Sequence, residues 1–131
     1  IRIHITTFLP FRAYNTDNQL ITNTNSVVEK ATNELVLGCA TTKILPEVKV
    51  VGAYAYMNTP SVVILPEGIV LIKEGAFSEC KTLHSVILPA SLKKIEERAF
   101  YDCKDLAHVA LKNKNTEIQK YAFPSDKKFW K

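Results

Sequence analysis

Side chains able to bind metals or to act as nucleophiles are few in this chain, and some of them recur at a fixed spacing. The sequence has three cysteines and three histidines. Cys80 and Cys103 lie 23 residues apart, while Cys39 has no counterpart at that step. No C-x-x-C pair and no pair of histidines at ligand spacing accompanies them, so we expect no metal site. Cys80 and Cys103 are predicted to be buried, reduced thiols, and a disulfide between them is the alternative.

The histidines and carboxylates do not assemble a recognisable catalytic pattern. His84 and His108 are 24 residues apart, which would place them diagonally on or near one sheet face if neighbouring repeats stack. Without a third ligand, solvated side chains are the expected state of both rings. The sequence has no nucleophile elbow, G-x-G-x-x-G, P-loop or H-E-x-x-H motif. Because the acidic residues sit beside lysines and look like solvated surface, we expect no catalytic residue and no cofactor.

The cysteine spacing belongs to a repeat that runs through the apolar residues. An Ala-Phe pair and an isoleucine recur at the same 23-residue step. These are Ala76-Phe77, Ala99-Phe100 and Ala122-Phe123, with Ile72, Ile95 and Ile118. A looser copy with Ala55-Tyr56 precedes them by 21 residues. A fixed period between about 20 and 50 residues marks a solenoid, in which stacked repeats share one core. We predict that Phe77, Phe100 and Phe123 form one internal column.

Residue types assign a strand and a return segment to each repeat. Val86-Ile87-Leu88 is a β-rich run that ends at Pro89, which cannot donate to a ladder. Residues 94 to 103 contain no turn residue, and Lys93 and Glu97 have helical spacing, so one or two turns of helix are expected there. The pattern predicts parallel strands on one face, near residues 62 to 65, 85 to 88 and 108 to 111.

The two ends of the chain differ from the repeats. Ser26 to Lys30 and Glu34 to Gly38 are strand-like runs joined by Ala31-Thr32-Asn33, which predicts a β-hairpin. Ile1, Ile3 and Ile5 alternate with polar residues as in an edge strand. We divide the chain into an N-terminal capping segment (1–42), the repeats (43–123, about four) and a basic C-terminal tail (124–131).

The positive charge of the chain is concentrated near its C-terminus. Residues 1 to 103 carry equal numbers of basic and acidic side chains, whereas residues 104 to 131 carry seven lysines against three acidic residues, which accounts for the net charge of +4. The first interpretation is that these lysines keep the last repeat soluble and discourage edge pairing. A contact with anionic glycan or nucleic acid is the alternative, and nucleic acid is the weaker partner because interleaved arginines and stacking aromatics are lacking.

The repeat motif also resembles a known family. From Leu83 to Cys103 the chain reads L-x-x-V-x-L-P-x-x-L-x-x-I-x-x-x-A-F-x-x-C, which is similar to the BspA-like leucine-rich repeat, and Asn25 to Cys39 looks like a segment that leads into such repeats. The resemblance implies an α/β solenoid with parallel strands on one face, short helical or 3-10 return segments on the other, and an N-terminal hairpin cap. It implies an extracellular or cell-surface protein of bacterial type, associated with adhesion and ligand binding, and brings no catalytic residues.

One departure from the family pattern suggests where a partner binds. The strand position that faces away from the core, usually polar in the family, is filled by Ile44, Ile64, Ile87 and Ala110. A contiguous apolar row marks a contact surface, with His84 and Ser85 at its margin. The alternatives are that β-branched residues simply favour strands, or that the N-terminal segment or a second copy covers the row.

Two functions are therefore expected from the sequence. The first is a non-enzymatic binding or adhesion module that recognises a protein or glycan, including a host-derived one, through the concave sheet face. The second is a structural spacer or terminal unit of a longer repeat array, which self-associates as a homodimer through the same face. No apolar run is long enough to cross a bilayer.

Overall fold

The computed structural model describes residues 26–29, 31–39, 42–56 and 59–124, together with the backbone of three two-residue strands nearer the N-terminus. Within this part of the chain there are twelve strands and no helix. The strands are β1 (His4–Ile5), β2 (Ala13–Tyr14), β3 (Leu20–Ile21), β4 (Val27–Glu29), β5 (Glu34–Leu37), β6 (Val50–Val51), β7 (Val62–Ile64), β8 (Leu71–Ile72), β9 (Ser85–Leu88), β10 (Lys94–Ile95), β11 (His108–Leu111) and β12 (Glu117–Ile118).

The repeats build two sheets in which their strands run parallel. One contains six strands in the order β12-β10-β8-β6-β5-β4, and the other contains three in the order β11-β9-β7. Equivalent residues of successive repeats lie side by side, as Val86 does with Val109 and Ile72 with Ile95. Such pairing follows from the constant period, because each repeat presents the same segment to the next one. The three predicted parallel strands are thereby confirmed.

The return segments are not helical, so the helix expected over residues 94 to 103 is wrong. Lys94 and Ile95 form β10, and the residues after it form turns closed by bonds such as Tyr101 N–H to the Arg98 carbonyl, at 3.0 Å. Arg98 has a φ of 60°, which no right-handed helix accommodates. The same left-handed conformation recurs at the equivalent positions Tyr54, Gly75 and Tyr121.

Hydrogen bonds between repeats explain why helix is absent from the described return segments. The Phe77 N–H donates to the Ala99 carbonyl at 2.7 Å, and the Phe100 N–H donates to the Ala122 carbonyl at 2.8 Å. In a helix these donors would instead bond within their own segment. Stacking therefore satisfies the backbone groups that a helix would otherwise satisfy.

An aromatic column runs through the core, as predicted. The rings of Phe77 and Phe100 are stacked with centroids 5.0 Å apart, and those of Phe100 and Phe123 with centroids 4.8 Å apart. Tyr56 takes the first place in the column, 4.6 Å from Phe77. Phe77 and Phe100 are fully buried, whereas Phe123, at the end, is partly buried. The recurring Ala-Phe pair is thus the residue set that links one repeat to the next.

The predicted hairpin lies at one end of the six-stranded sheet. β4 pairs with β5 in antiparallel fashion, and β5 then pairs in parallel with β6. Glu34 also forms an ion pair with Lys73, with Oε1 and Nζ 3.0 Å apart. Of the predicted opening strand only His4–Ile5 is described, where it pairs with β2. Apart from Pro124, the basic tail lies outside the described residues.

The cysteines of the repeats are free thiols in the core. Cys80 and Cys103 are both buried and neither forms a disulfide, so the disulfide alternative is not found. The Cys103 thiol donates a hydrogen bond to the Phe77 carbonyl at 3.0 Å. Burial raises the pKa of Cys80 to about 11 and the pKa of Cys103 to about 12, because an apolar surrounding disfavours the thiolate.

We predict that Cys80 and Cys103 react slowly with thiol reagents in the native protein. The thiolate is the reactive form, and the raised pKa values lower its population near pH 8 by roughly a hundredfold or more relative to an ordinary thiol. Labelling read by mass spectrometry should modify the partly exposed Cys39 first, and denaturant should release the other two. A tryptic Cys80–Cys103 crosslink, or fast native labelling of either residue, contradicts the prediction.

Candidate binding face

The face of the three-stranded sheet that points away from the core is called the outer face here. Its residues are Val62, Ile64, Ser85, Ile87, His108 and Ala110. They alternate along their strands with Val63, Val86 and Val109, which are buried. The alternation follows from the two-residue period of a strand, so the core packing of this sheet does not itself require apolar residues on the outer face.

Three of the predicted residues form a continuous row across the outer face. Ile64 pairs with Ile87, and Ile87 pairs with Ala110. Ile64 is 65% exposed and Val62, on the same strand, is 47% exposed. Neighbouring strands lie about 4.8 Å apart, so these side chains are in contact distance along the row. Val62 was not among the residues predicted from the sequence, although its place directly before the buried Val63 was the available signal.

Ile44 does not continue this row, in contrast to the sequence-based expectation. It belongs to no strand, and it is half-buried against the core. The spacing from Leu45 to Leu65 is 20 residues, whereas Leu65 to Leu88 is 23, so this repeat is too short to follow the common register. Ile44 instead lines a cavity of about 340 Å3 together with Val62 and Ile64. The row therefore ends, on the side of Ile64, at a partly apolar recess.

Two histidines meet at the margin of the outer face. The rings of His84 and His108 have centroids 5.2 Å apart and planes inclined by 61°. Nδ1 of His84 lies 3.1 Å from the Ser85 hydroxyl, and Ser85 pairs with His108 across the sheet. Both histidines are exposed. The diagonal placement expected from their 24-residue spacing is found, because His84 stands just before the strand position that His108 occupies in the next repeat.

Two carboxylates bind the backbone of a neighbouring repeat, which was not predicted from the sequence. Glu67 accepts hydrogen bonds from the Ala90 and Ser91 N–H groups at 3.0 and 3.2 Å. Glu96 accepts one from the Glu74 N–H at 3.0 Å. The signal was the separation of each carboxylate from its partner, which is close to one repeat. These side chains therefore contribute to the stacking of the repeats.

Among the described residues, no group of three or more His, Cys, Asp and Glu side chains lies close enough together to hold a metal ion. The same residues include no helix that is long and apolar enough to span a bilayer.

Comparisons with known proteins identify the repeat. A family model described as a BspA type leucine rich repeat region (6 copies) matches residues 36–129, which is more than two thirds of the chain. No curated protein and no solved structure matches the chain. The matched range contains both parallel sheets of the repeats, apart from β4 and the first residues of β5, and also the aromatic column. The chain belongs to the BspA-type leucine-rich repeat family.

Proposed function

We propose that this chain is a non-enzymatic binding module that recognises a protein partner through the outer face. The observation that carries the proposal is the apolar row formed by Ile64, Ile87 and Ala110, flanked by Val62. Ile64, Ala110 and Val62 are exposed, and Ile87 between them is half-buried. Exposed apolar residues that stand singly are common on protein surfaces, whereas a contiguous group marks a contact surface. Family membership supports the same function, since leucine-rich repeat regions generally serve as non-enzymatic modules.

The chemistry of the outer face favours a protein over a glycan. Its exposed large side chains are aliphatic, and these gain most by burial against another apolar surface. Sugar rings pack best on aromatic faces, and the exposed tyrosines of the described chain lie in turns away from the three-stranded sheet. They are Tyr54, Tyr101 and Tyr121. A glycan partner would therefore be expected at those turns rather than at the outer face.

The proposal includes an extracellular or cell-surface location. The family is typically surface-associated, which is the support for this location. A module of this kind would present the outer face to a protein of its surroundings, including a host protein.

We predict that replacing Ile64 and Ile87 together by threonine weakens partner binding and leaves stability almost unchanged. Threonine keeps the β-branched shape, so strand preference is retained. Each isoleucine buried at a contact contributes up to about 1.5 to 3 kcal/mol, so the double variant should lose at least tenfold in affinity. The measurement is quantitative capture of extracellular host proteins on immobilised wild type and variant. The captured protein whose yield differs is then titrated against both chains, and melting curves of both are recorded.

Tyr101→Thr is the matched control, because it removes an exposed apolar side chain from a turn outside the outer face. It should leave capture unchanged. Light scattering over a range of concentrations tests the second function, self-association. A wild-type dimer that dissociates in the double variant would support self-association in place of binding to another protein. A several-kcal/mol loss of stability in a monomeric double variant contradicts both, because it would show that the chain itself covers the row.

A further inference from the structure

We propose that His84 and His108 form a two-histidine binding site for a borderline divalent cation, of which Zn2+ is the representative. The site lies at the margin of the outer face, and it does not depend on whether that face binds a protein. Imidazole nitrogen is a preferred ligand of Zn2+, Ni2+ and Cu2+. The remaining coordination positions would be filled by water or by a group of a bound partner.

The distance between the two rings fits a shared metal ion. A zinc ion lies about 2.0 to 2.1 Å from each imidazole nitrogen, and with tetrahedral angles this places two ring centres roughly 5 Å apart. The centroids of His84 and His108 are 5.2 Å apart. The rings are inclined by 61°, and both are exposed, so small rotations about the Cβ–Cγ bonds that keep the His84–Ser85 contact can turn one nitrogen of each ring toward a common point.

The backbone holds the two histidines at this separation before any metal arrives. The Ala107 N–H and the His108 N–H both donate to the carbonyl of His84, at 2.8 and 3.2 Å. His108 also pairs with Ser85 in the ladder between β9 and β11. Since these hydrogen bonds hold the backbone of both residues, binding a cation orders only side-chain rotations, and little conformational entropy is lost.

Ser85 gives the site an outer partner of the kind found around bound metals. Its hydroxyl lies 3.1 Å from Nδ1 of His84. When Nδ1 carries the proton and donates to that hydroxyl, Nε2 of His84 keeps its lone pair for the metal. Metal-binding histidines commonly donate their second ring nitrogen to an oxygen in this way, which fixes the tautomer and the ring orientation.

The test is a titration of the folded protein with Zn2+. Binding is measured by the shifts of the histidine ring signals in 1H–15N spectra and by calorimetry. The titration is made near pH 7.5, where an ordinary imidazole is mostly neutral. We expect one ion per chain, with shifts confined to the His84 and His108 rings. His84→Ala and His108→Ala should each lower the affinity at least tenfold, because either change converts a chelate into a single-ligand contact.

His4→Ala is the control, since His4 is the remaining histidine of the sequence. Cys39→Ser is a second control, because thiolate also binds zinc and Cys39 is partly exposed. Both controls should bind as the wild type does. The proposal is overturned if zinc leaves the His84 and His108 signals in place, if their alanine variants bind unchanged, or if a control removes the binding.

Discussion

Phe100→Ala should destabilise the protein by about 3 to 5 kcal/mol, because it removes a fully buried ring and leaves a cavity in the middle of the core. Phe100 stacks on Phe77 on one side and on Phe123 on the other, so the loss affects three successive repeats. The collapse of neighbouring side chains into the space is restricted, because inter-repeat hydrogen bonds fix the backbone on both sides of Phe100. Chemical denaturation of wild type and variant measures the difference.

Phe123→Ala is the matched control for this change. It removes the same ring from the end of the column, where the side chain is already partly exposed. Its cost should be clearly smaller, since less apolar surface was withdrawn from water. A loss below about 1 kcal/mol for Phe100→Ala, or equal losses at the two positions, would show that the column does not hold the repeats together.

The parts of the fold that could be predicted are those that the period itself determines. A ring that recurs every 23 residues must stack if the repeats stack, so the column and the parallel strands followed from spacing alone. The proline after Leu88 marked the end of its strand. The sequence spacing of the repeating residues is the same whatever conformation the segments between them adopt. These predictions therefore did not require the conformation of those segments to be known.

The conformation of the return segments could not be predicted, because it depends on hydrogen bonds between repeats. Residues 94 to 103 have acceptable helix propensity, yet the N–H groups of Glu96, Arg98 and Phe100 find acceptors in a neighbouring repeat. The positive φ at Arg98 is a conformation for which glycine is normally expected, because other residues adopt it less readily. In the sequence, the only indication of it was the glycine at the equivalent position, Gly75. Tertiary hydrogen bonding thus overrides local preference here.

The alignment of the outer-face residues could be predicted where the period is kept, and the prediction was wrong where the period is broken. Ile64, Ile87 and Ala110 align because their repeats have equal length. Ile44 lies outside the row because its repeat is shorter. The shorter length shows that the register changes, but it does not show where the displaced residue will lie. Spacing placed His84 near His108, but the ring-to-ring distance that suggests a cation site required the structure.

The second large effect is expected at the hairpin that ends the six-stranded sheet. Leu35→Ala should destabilise the protein by about 2 to 5 kcal/mol, because Leu35 is fully buried between Val28 of β4 and Val51 of β6. The carbonyl of Leu35 also accepts a hydrogen bond from the Gly52 N–H at 2.8 Å, so its backbone is held close to the first repeat. Denaturation and hydrogen exchange of the variant measure the effect.

Hydrogen exchange distinguishes a capping role from a general contribution to the core. In a stacked array each repeat contacts mainly its neighbours, so loosening one end should lower protection most in β4, β5 and β6 and least in β11. An unpaired β6 edge should then promote concentration-dependent association, which light scattering detects. Val36→Ala is the control, since Val36 points to the opposite side of β5 and is only half-buried. If protection falls equally in β6 and β11, the hairpin is part of one cooperative core and does not act as a cap.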